Sequence, residues 1–367
     1  MNKKKVLLSI TVTSMIAVAG AVLAISGGLK SSSVFATNGE VWYHYAEIAP
    51  TSTRHGSKEF WASSTDGCAT HTFTDPGVAS IDRSFLDNEY FYSLTKEDDR
   101  YIAPTSSSPI INGNTVTYGI YPQTVLTDEE LVSNLINNAT KQTNGWFLYR
   151  GEYYAKLSAT PYRSFYTFDN ETTIQQGATY WFKCEPITWN ILSNSDGEYY
   201  ILSSVLLDAR RYGNGSNNYE DSEIRSFLNN DFYNLAFTLG NSHIQTTTVN
   251  NSASTTDSIE NPYACEETKD NVFLPSYQDY INSSYGFSTS TNSTDTRYCK
   301  TTDWARARGT RCYLSEPYLN YGYYWTRSPN SGNSYVAWYV GNDGSLYGNN
   351  VNDVDRSVRP ALTINIE

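Results

Sequence analysis

Histidine is scarce in this chain. Of the four present, His44, His55, His71 and His243, only the last lies beyond residue 105. A site that moves protons near neutral pH, or a histidine-ligated iron oxidase, has little to be built from in that larger part. The five cysteines, Cys68, Cys184, Cys265, Cys299 and Cys312, form no C-x-x-C, which removes a redox dithiol and a zinc ribbon. Their odd number leaves at least one thiol over, and most read as buried free thiols. Neither G-x-S-x-G nor H-E-x-x-H occurs, so the common serine-hydrolase and zinc-protease signatures are missing. Charge is also in short supply, at 17% of residues, and it is mostly acidic: 26 Lys and Arg against 38 Asp and Glu. The first 36 residues hold Lys3, Lys4, Lys5 and Lys30 and no acid. Subtracting those four leaves 22 basic residues against the 38 acids, about −16. Nucleic acid and anionic lipid are therefore excluded as natural partners, because phosphate binding needs a basic footprint.

Aromatic residues are abundant instead, at 14%, with 31 Tyr, 14 Phe and 8 Trp, which is material for a packed core rather than for disorder. The amino terminus reads as an export signal. Met1 to Lys5 is cationic, an apolar run follows from Val6 to about Ile25, and Val34-Phe35-Ala36 offers a small-residue cleavage site. The same run could remain as a membrane anchor, and either outcome places residues 37–367 outside the membrane. Three regions are expected: 1–36 as signal peptide or anchor, 37–105 as a small β-rich module, and 106–367 as an α+β domain. The Thr105-to-Pro109 stretch reads as a linker between the last two.

Within the larger region, Thr127 is expected to cap a helix with Glu130 as capping-box partner, burying Leu131, Val132, Leu135 and Ile136. Ile187–Ser193 and Tyr199–Val205 read as a hairpin around Asp196-Gly197. Ser222 should cap a short helix that buries Ile224, Phe227 and Leu228, and Asp231 another that runs through Phe237. Residues 242–270 and 283–296 are rich in Ser, Thr and Asn and read as surface insertions. The chain should end in hairpins over 335–347 and a strand from Val358 to Ile366.

Six short segments occur in one order: Tyr118-Gly119-Ile120-Tyr121-Pro122-Gln123, Pro186-Ile187-Thr188-Trp189-Asn190-Ile191-Leu192, Ser222-Glu223-Ile224-Arg225-Ser226-Phe227-Leu228-Asn229, Val272-Phe273-Leu274-Pro275-Ser276, Trp325-Thr326-Arg327-Ser328-Pro329 and Val358-Arg359-Pro360-Ala361-Leu362. In this order they resemble the bacterial domain-of-unknown-function family numbered 6273, over residues about 115–366. That resemblance implies a C-type-lectin-like fold, shared with formylglycine-generating enzymes, ending in a strand that carries an arginine as Arg359 does. It also implies structural roles for Trp189, Arg225, Trp325 and Arg359.

Each candidate site has a plainer counterpart. Formylglycine-generating enzymes, by resemblance, bind copper through two close cysteines, whereas here the closest pair, Cys299 and Cys312, is 13 residues apart. A carboxylate pair for glycoside hydrolysis is open to any sequence with scattered Asp and Glu. His44, His55, Cys68 and His71 offer zinc ligands, but a hairpin with exposed histidines accounts for them equally. Asn352, Asp353 and Asp355 supply the oxygen donors that calcium takes, or else a solvated acidic loop. Arg327 reads as a structural ion pair or as the floor of a ligand cleft. Tyr321, Tyr323 and Tyr324 offer rings on which a sugar or a protein partner stacks. The reading that follows is an exported, non-catalytic surface or secreted protein that binds a glycan or a protein ligand and needs no cofactor, calcium being the one metal considered. An oxidase or glycoside hydrolase and a purely structural surface domain are the alternatives. The cleft is expected to be loop-built, near Tyr321–Tyr324 and Asn350–Asp355.

Overall fold

The computed structural model describes residues 108–366 throughout and, ahead of them, only the backbone of five strands. These are β1 (Val41–Glu47), β2 (Glu59–Ser64), β3 (Thr70–Phe73), β4 (Ile81–Asp82) and β5 (Phe91–Leu94). They form one antiparallel sheet in the order β4-β3-β2-β1-β5. The export signal and the side chains of His44, His55, Cys68 and His71 lie outside the described residues. The chain divides into two units, Met1–Ser107 with Leu148–Glu152, and Ser108–Phe147 with Tyr153–Glu367. No helix among the described residues is long and apolar enough to cross a membrane.

The second unit is mixed α+β, mostly antiparallel sheet with a few short helices. Its strands are β6 (Ile110–Asn112), β7 (Thr115–Val125), β8 (Thr140–Lys141), β10 (Glu152–Ser158) from Tyr153 on, β11 (Thr179–Ser195), β12 (Glu198–Ser203) and β13 (Asp208–Ala209), and β9 (Phe147–Tyr149) falls mostly in the Leu148–Glu152 segment of the first unit. There follow β14 (Ile244–Gln245), β15 (Thr247–Val249), β16 (Thr268–Asp270), β17 (Tyr324–Pro329), β18 (Val336–Val340), β19 (Leu346–Asn350), β20 (Ser357–Val358) and β21 (Ala361–Asn365).

β11 is the spine. Its first half pairs with β10, its second half with β12, and both halves with β7. Trp181, Phe182, Cys184, Ile187, Trp189 and Leu192 are buried along it, which anchors a strand of this length. The register with β7 shifts between Phe182 and Cys184 and again between Pro186 and Thr188, so Pro186 sits at an irregularity where its missing N–H interrupts no ladder. The β11–β12 hairpin closes through Asp196 and Gly197, both at positive φ (51° and 82°), with Ser195 opposite Glu198. Asp and Gly tolerate that geometry, so the turn was readable from two residues. β12 then pairs with β21, and β21 with β14. A second sheet runs β13-β20-β17-β18-β19, with β17 and β20 parallel.

Local expectations needed adjustment at three places. The helix Glu129–Asn138 is capped by Asp128, not Thr127. The Asp128 carboxylate accepts from the Glu130 and Leu131 amides at 2.9 and 3.0 Å, which a hydroxyl one residue earlier does not do, and Ile136 stays exposed. Ser222 does cap Glu223–Phe227, accepting from Arg225 N at 3.2 Å. Asp231, however, caps nothing: the chain passes through a π-helical turn, Leu228–Phe232, straight into Tyr233–Ala236. Most of residues 242–270 are exposed or half-buried, as a surface stretch should be, but Val249, Asn251, Thr256, Asn261, Thr268 and Asp270 are buried. Asn251 Nδ2 donates to Glu266 O and Thr268 Oγ1, and Asn261 Nδ2 to Pro329 O, so both buried NH2 groups find acceptors inside, while Asn251 Oδ1 has none. The stretch 283–296 wraps a guanidinium. Arg297, fully buried, donates to the carbonyls of Gly344, Tyr280, Ser288, Ser290 and Asn292.

The core carries titrating groups that fix a pH dependence. Burial pushes the Cys299 and Cys312 thiols from an ordinary 9.0 up to about 11, and the Tyr121, Tyr200, Tyr212 and Tyr280 phenols well above their usual range. Because the folded state holds these protons longer than the unfolded chain, their contribution is full below the unfolded value and is lost as pH rises through the folded one. Urea midpoints should therefore hold steady up to about pH 9 and fall steeply by pH 11. A flat midpoint across that window would show that these groups titrate alike in both states.

Candidate ligand-binding cleft

Asp303, at the start of the helix Asp303–Ala307, joins three parts of the second unit. Its carboxylate accepts from Val125 N at 3.0 Å, from Asp169 N at 2.8 Å and from Arg306 Nη2, which also reaches Asp169 Oδ1 at 2.8 Å. The helix is thereby fixed against the end of β7, and the loop that leaves it, residues 308–311, is placed with it. Gly309 has φ +104°, and a Cβ there would lie 2.8 Å from Thr160 O, so only glycine lets this loop run against residues 160–162. Backbone bonds add the remaining wall. Arg311 N donates to Asp355 O at 2.8 Å, Arg210 N to Arg356 O at 3.0 Å and Gly213 N to Val351 O at 3.0 Å.

Between these segments and the helix Glu223–Phe227 lies an open cleft of about 1180 Å³. Five arginines line it, Arg210, Arg211, Arg308, Arg311 and Arg356, along with Glu223, Asp231, Asp353 and Asp355. The arginines fall into two kinds. Arg211 grips Glu223 through two bonds of 2.6 and 2.8 Å, and Arg308 Nε lies 2.7 Å from the buried Asp208 carboxylate, whose charge raises the Arg308 pKa. Arg210 and Arg311 have no acidic partner among the described residues. Arg210 lies 4.1 Å over the Phe227 ring, while Arg311 lies 4.7 Å from the centre of the Tyr323 ring and 5.8 Å from that of Tyr162. Arg356 combines both kinds, with a 2.5 Å bond to Asp355 and the Tyr339 ring at 4.4 Å.

The residues singled out from sequence divide accordingly. Asp353 and Asp355 line the cleft, each held by a protein partner: Asn349 Nδ2 donates to Asp353, and Arg356 pairs with Asp355. Asn352 is exposed and lies outside the lining. Among the described residues no three His, Cys, Asp or Glu gather closely enough to hold a metal ion. Tyr323 is half-buried and stands behind the cleft, its ring carrying Arg311 and Arg356. Tyr321 packs instead on Tyr298, with ring centres 5.2 Å apart.

Tyr324 is corrected outright as a ligand residue. It is fully buried, its hydroxyl donating to Arg297 O at 2.6 Å and accepting from Arg359 Nη1 at 2.9 Å. Tyr324 opens β17, whose six residues are all buried, whereas Tyr323 lies just ahead of the strand with its ring beside Arg311 and Arg356. Arg327 takes the first of its two readings, a structural ion pair, and not the cleft floor, since it bonds Asp279 Oδ2 at 2.8 Å, Leu274 O at 3.0 Å and Asn250 O at 3.1 Å inside the fold. Arg359 bonds Ser203 O at 3.0 Å, Trp189 Nε1 donates to Tyr118 O at 2.8 Å, and Trp325 Nε1 to Arg210 O at 2.9 Å. Arg225 pairs with the fully buried Asp270 at 2.7 Å. Sequence reasoning missed the five cleft arginines, although Arg210-Arg211 and Arg308-Gly-Thr-Arg311 are conspicuous clusters in so acidic a chain.

Tyr323→Ala and Tyr324→Ala should therefore behave very differently. The first should cost about 1–2 kcal/mol, and the second about 3–5 kcal/mol, in denaturant unfolding monitored by tryptophan fluorescence. Equal losses would contradict the unequal burial of the two rings.

No curated protein and no solved structure matches the chain. Residues 108–195 lie outside the family match, although they hold the whole of β7 and β11 at the centre of the main sheet. From the β11–β12 turn onwards, residues 196–366 match the family described as a domain of unknown function (DUF6273).

Proposed function

We propose that this is an exported, non-catalytic protein, secreted or held at the cell surface, which binds a glycan or protein ligand in the arginine-lined cleft. The scaffold that presents the cleft is, in this proposal, a C-type-lectin-like domain. Export is argued from the lysine-led apolar amino terminus. The scaffold is argued from the resemblance in motif order, together with short helices set among antiparallel hairpins and a last strand preceded by the buried Arg359.

One observation carries the reading. The cleft is wide and open, and its walls come from five segments far apart in sequence, each pinned by backbone bonds or buried ion pairs. Loops set on a rigid sheet are a common site of recognition. The lining offers donors and acceptors in Thr160, Ser226, Asn230 and Asn349 beside the arginines, and no nucleophile paired with a histidine base. The thiols that a copper oxidase would need are of the opposite character, since Cys299 and Cys312 are buried and hold their protons up to about 11.

Ser226 is exposed on the cleft wall, so Ser226→Trp should fill the cleft without disturbing the core. In a screen of immobilised glycans and extracellular proteins, binders of the native chain should be lost in Ser226→Trp and kept when the exposed Phe165, outside the lining, is changed to Ala. Ligands that bind both variants equally would show that the cleft is not the site. A screen with no binders at all would favour the purely structural alternative.

A further inference from the structure

Resting on that reading of the cleft, we propose that its ligand is an acidic glycan whose carboxylates are received by Arg210 and Arg311, with Arg356 beside them. The argument begins from how these side chains are held. An arginine paired with an acid is neutralised and its fork is filled, as Arg211 is by Glu223. An arginine lying flat on an aromatic ring is also held, but through its face, and the N–H donors around its edge stay free. Arg311, between Tyr323 and Tyr162, and Arg210, over Phe227, are of this second sort. Neither guanidinium has a hydrogen-bond or acidic partner among the described residues. The rings thus order two cations in advance and leave their directional donors unused.

The carboxylates of the lining do not occupy the free edges of Arg210 and Arg311. Glu223 is taken by Arg211, Asp355 bonds Arg356 through Nη1, Asp353 accepts from Asn349, and Asp231 stands exposed on the helix side. The cleft therefore holds cations awaiting an anion, in a chain whose formal charge is −12. That overall charge repels polyanions at long range, so recognition must come from short-range forks rather than from steering.

The planar fork matches a carboxylate through two parallel bonds. The rest of the lining favours a sugar over an acidic peptide. Thr160, Ser226, Asn230 and Asn349 suit hydroxyls, and an open, mostly polar cleft lacks the deep apolar pocket that anchors a protein partner.

The test is titration calorimetry of the full chain with trigalacturonate, set beside neutral galactotriose, a sulfated trisaccharide and inorganic phosphate. Trigalacturonate should bind and the neutral trimer should not. Arg210→Gln and Arg311→Gln should each weaken binding by about tenfold or more with little change in melting temperature, because neither arginine holds a structural ion pair. Arg311→Lys should recover only part of the loss, since it keeps the charge without the fork. Equal binding of neutral and acidic trimers, blocked by Ser226→Trp, would overturn the carboxylate assignment and leave the cleft reading intact. Trigalacturonate binding that Ser226→Trp does not block would overturn both. Tighter binding of the sulfated sugar or of phosphate, or no binding of trigalacturonate, would also overturn the assignment.

Discussion

A guanidinium cannot be deprotonated to ease its burial, so every arginine taken into this core obliges the chain to bring it acceptors. Arg297, Arg306, Arg327 and Arg359 are each no more than 6% exposed, and the surrounding architecture is arranged to meet that demand. Arg359, between β20 and β21, donates to Tyr324 on β17, and Tyr324 in turn donates to Arg297 O. Arg297 then gathers five carbonyls, including those of Ser288, Ser290 and Asn292 in a stretch with no regular structure of its own. One chain of polar contacts thus links the second sheet to a loop that its composition alone would leave in solvent.

The same constraint explains why the cleft differs from the core. Arg306 and Arg308 are matched to Asp303 and Asp208, so their charges are compensated where they lie. Arg210 and Arg311 are matched to rings. A ring face holds a cation in place without consuming its hydrogen bonds, which keeps the group both ordered and open to a ligand. The wall that presents them is also stiff. Gly309 permits close passage past Thr160, and amides of residues 210, 213 and 311 tie the 351–356 segment down. An arrangement held in place before binding loses less entropy on binding than one ordered by the ligand.

Much of the local structure was legible in the sequence, and the exceptions share a cause. Asp196-Gly197 announces its hairpin because a tight turn needs positive φ at both residues. Ser222 announces its helix because a hydroxyl three residues ahead of an orphan amide caps it. The Asp128 cap was misplaced by one residue because Thr127 and Asp128 both suit the role, and only the backbone shows which oxygen meets the amides. The Asn-rich stretch over 242–270 is mostly at the surface, but composition does not reveal that Asn251 and Asn261 within it are buried and find carbonyls inside.

Of the residues singled out from sequence, Asp353 and Asp355 line the arginine-rich cleft, and the arginines themselves were not singled out. The sequence by itself determined the acidic balance, the aromatic core material, the Asp196-Gly197 turn and the Ser222 cap, because these depend on neighbours within a few residues. Only the tertiary structure decided that Tyr323 carries Arg311 and Arg356 while Tyr324 is core, since that follows from where β17 begins and from the partners folding brings to each ring. It alone decided which arginines are neutralised and which lie on rings. Positions 210, 308, 311 and 356 come together through folding, and a charge takes its character from the partners that folding brings to it.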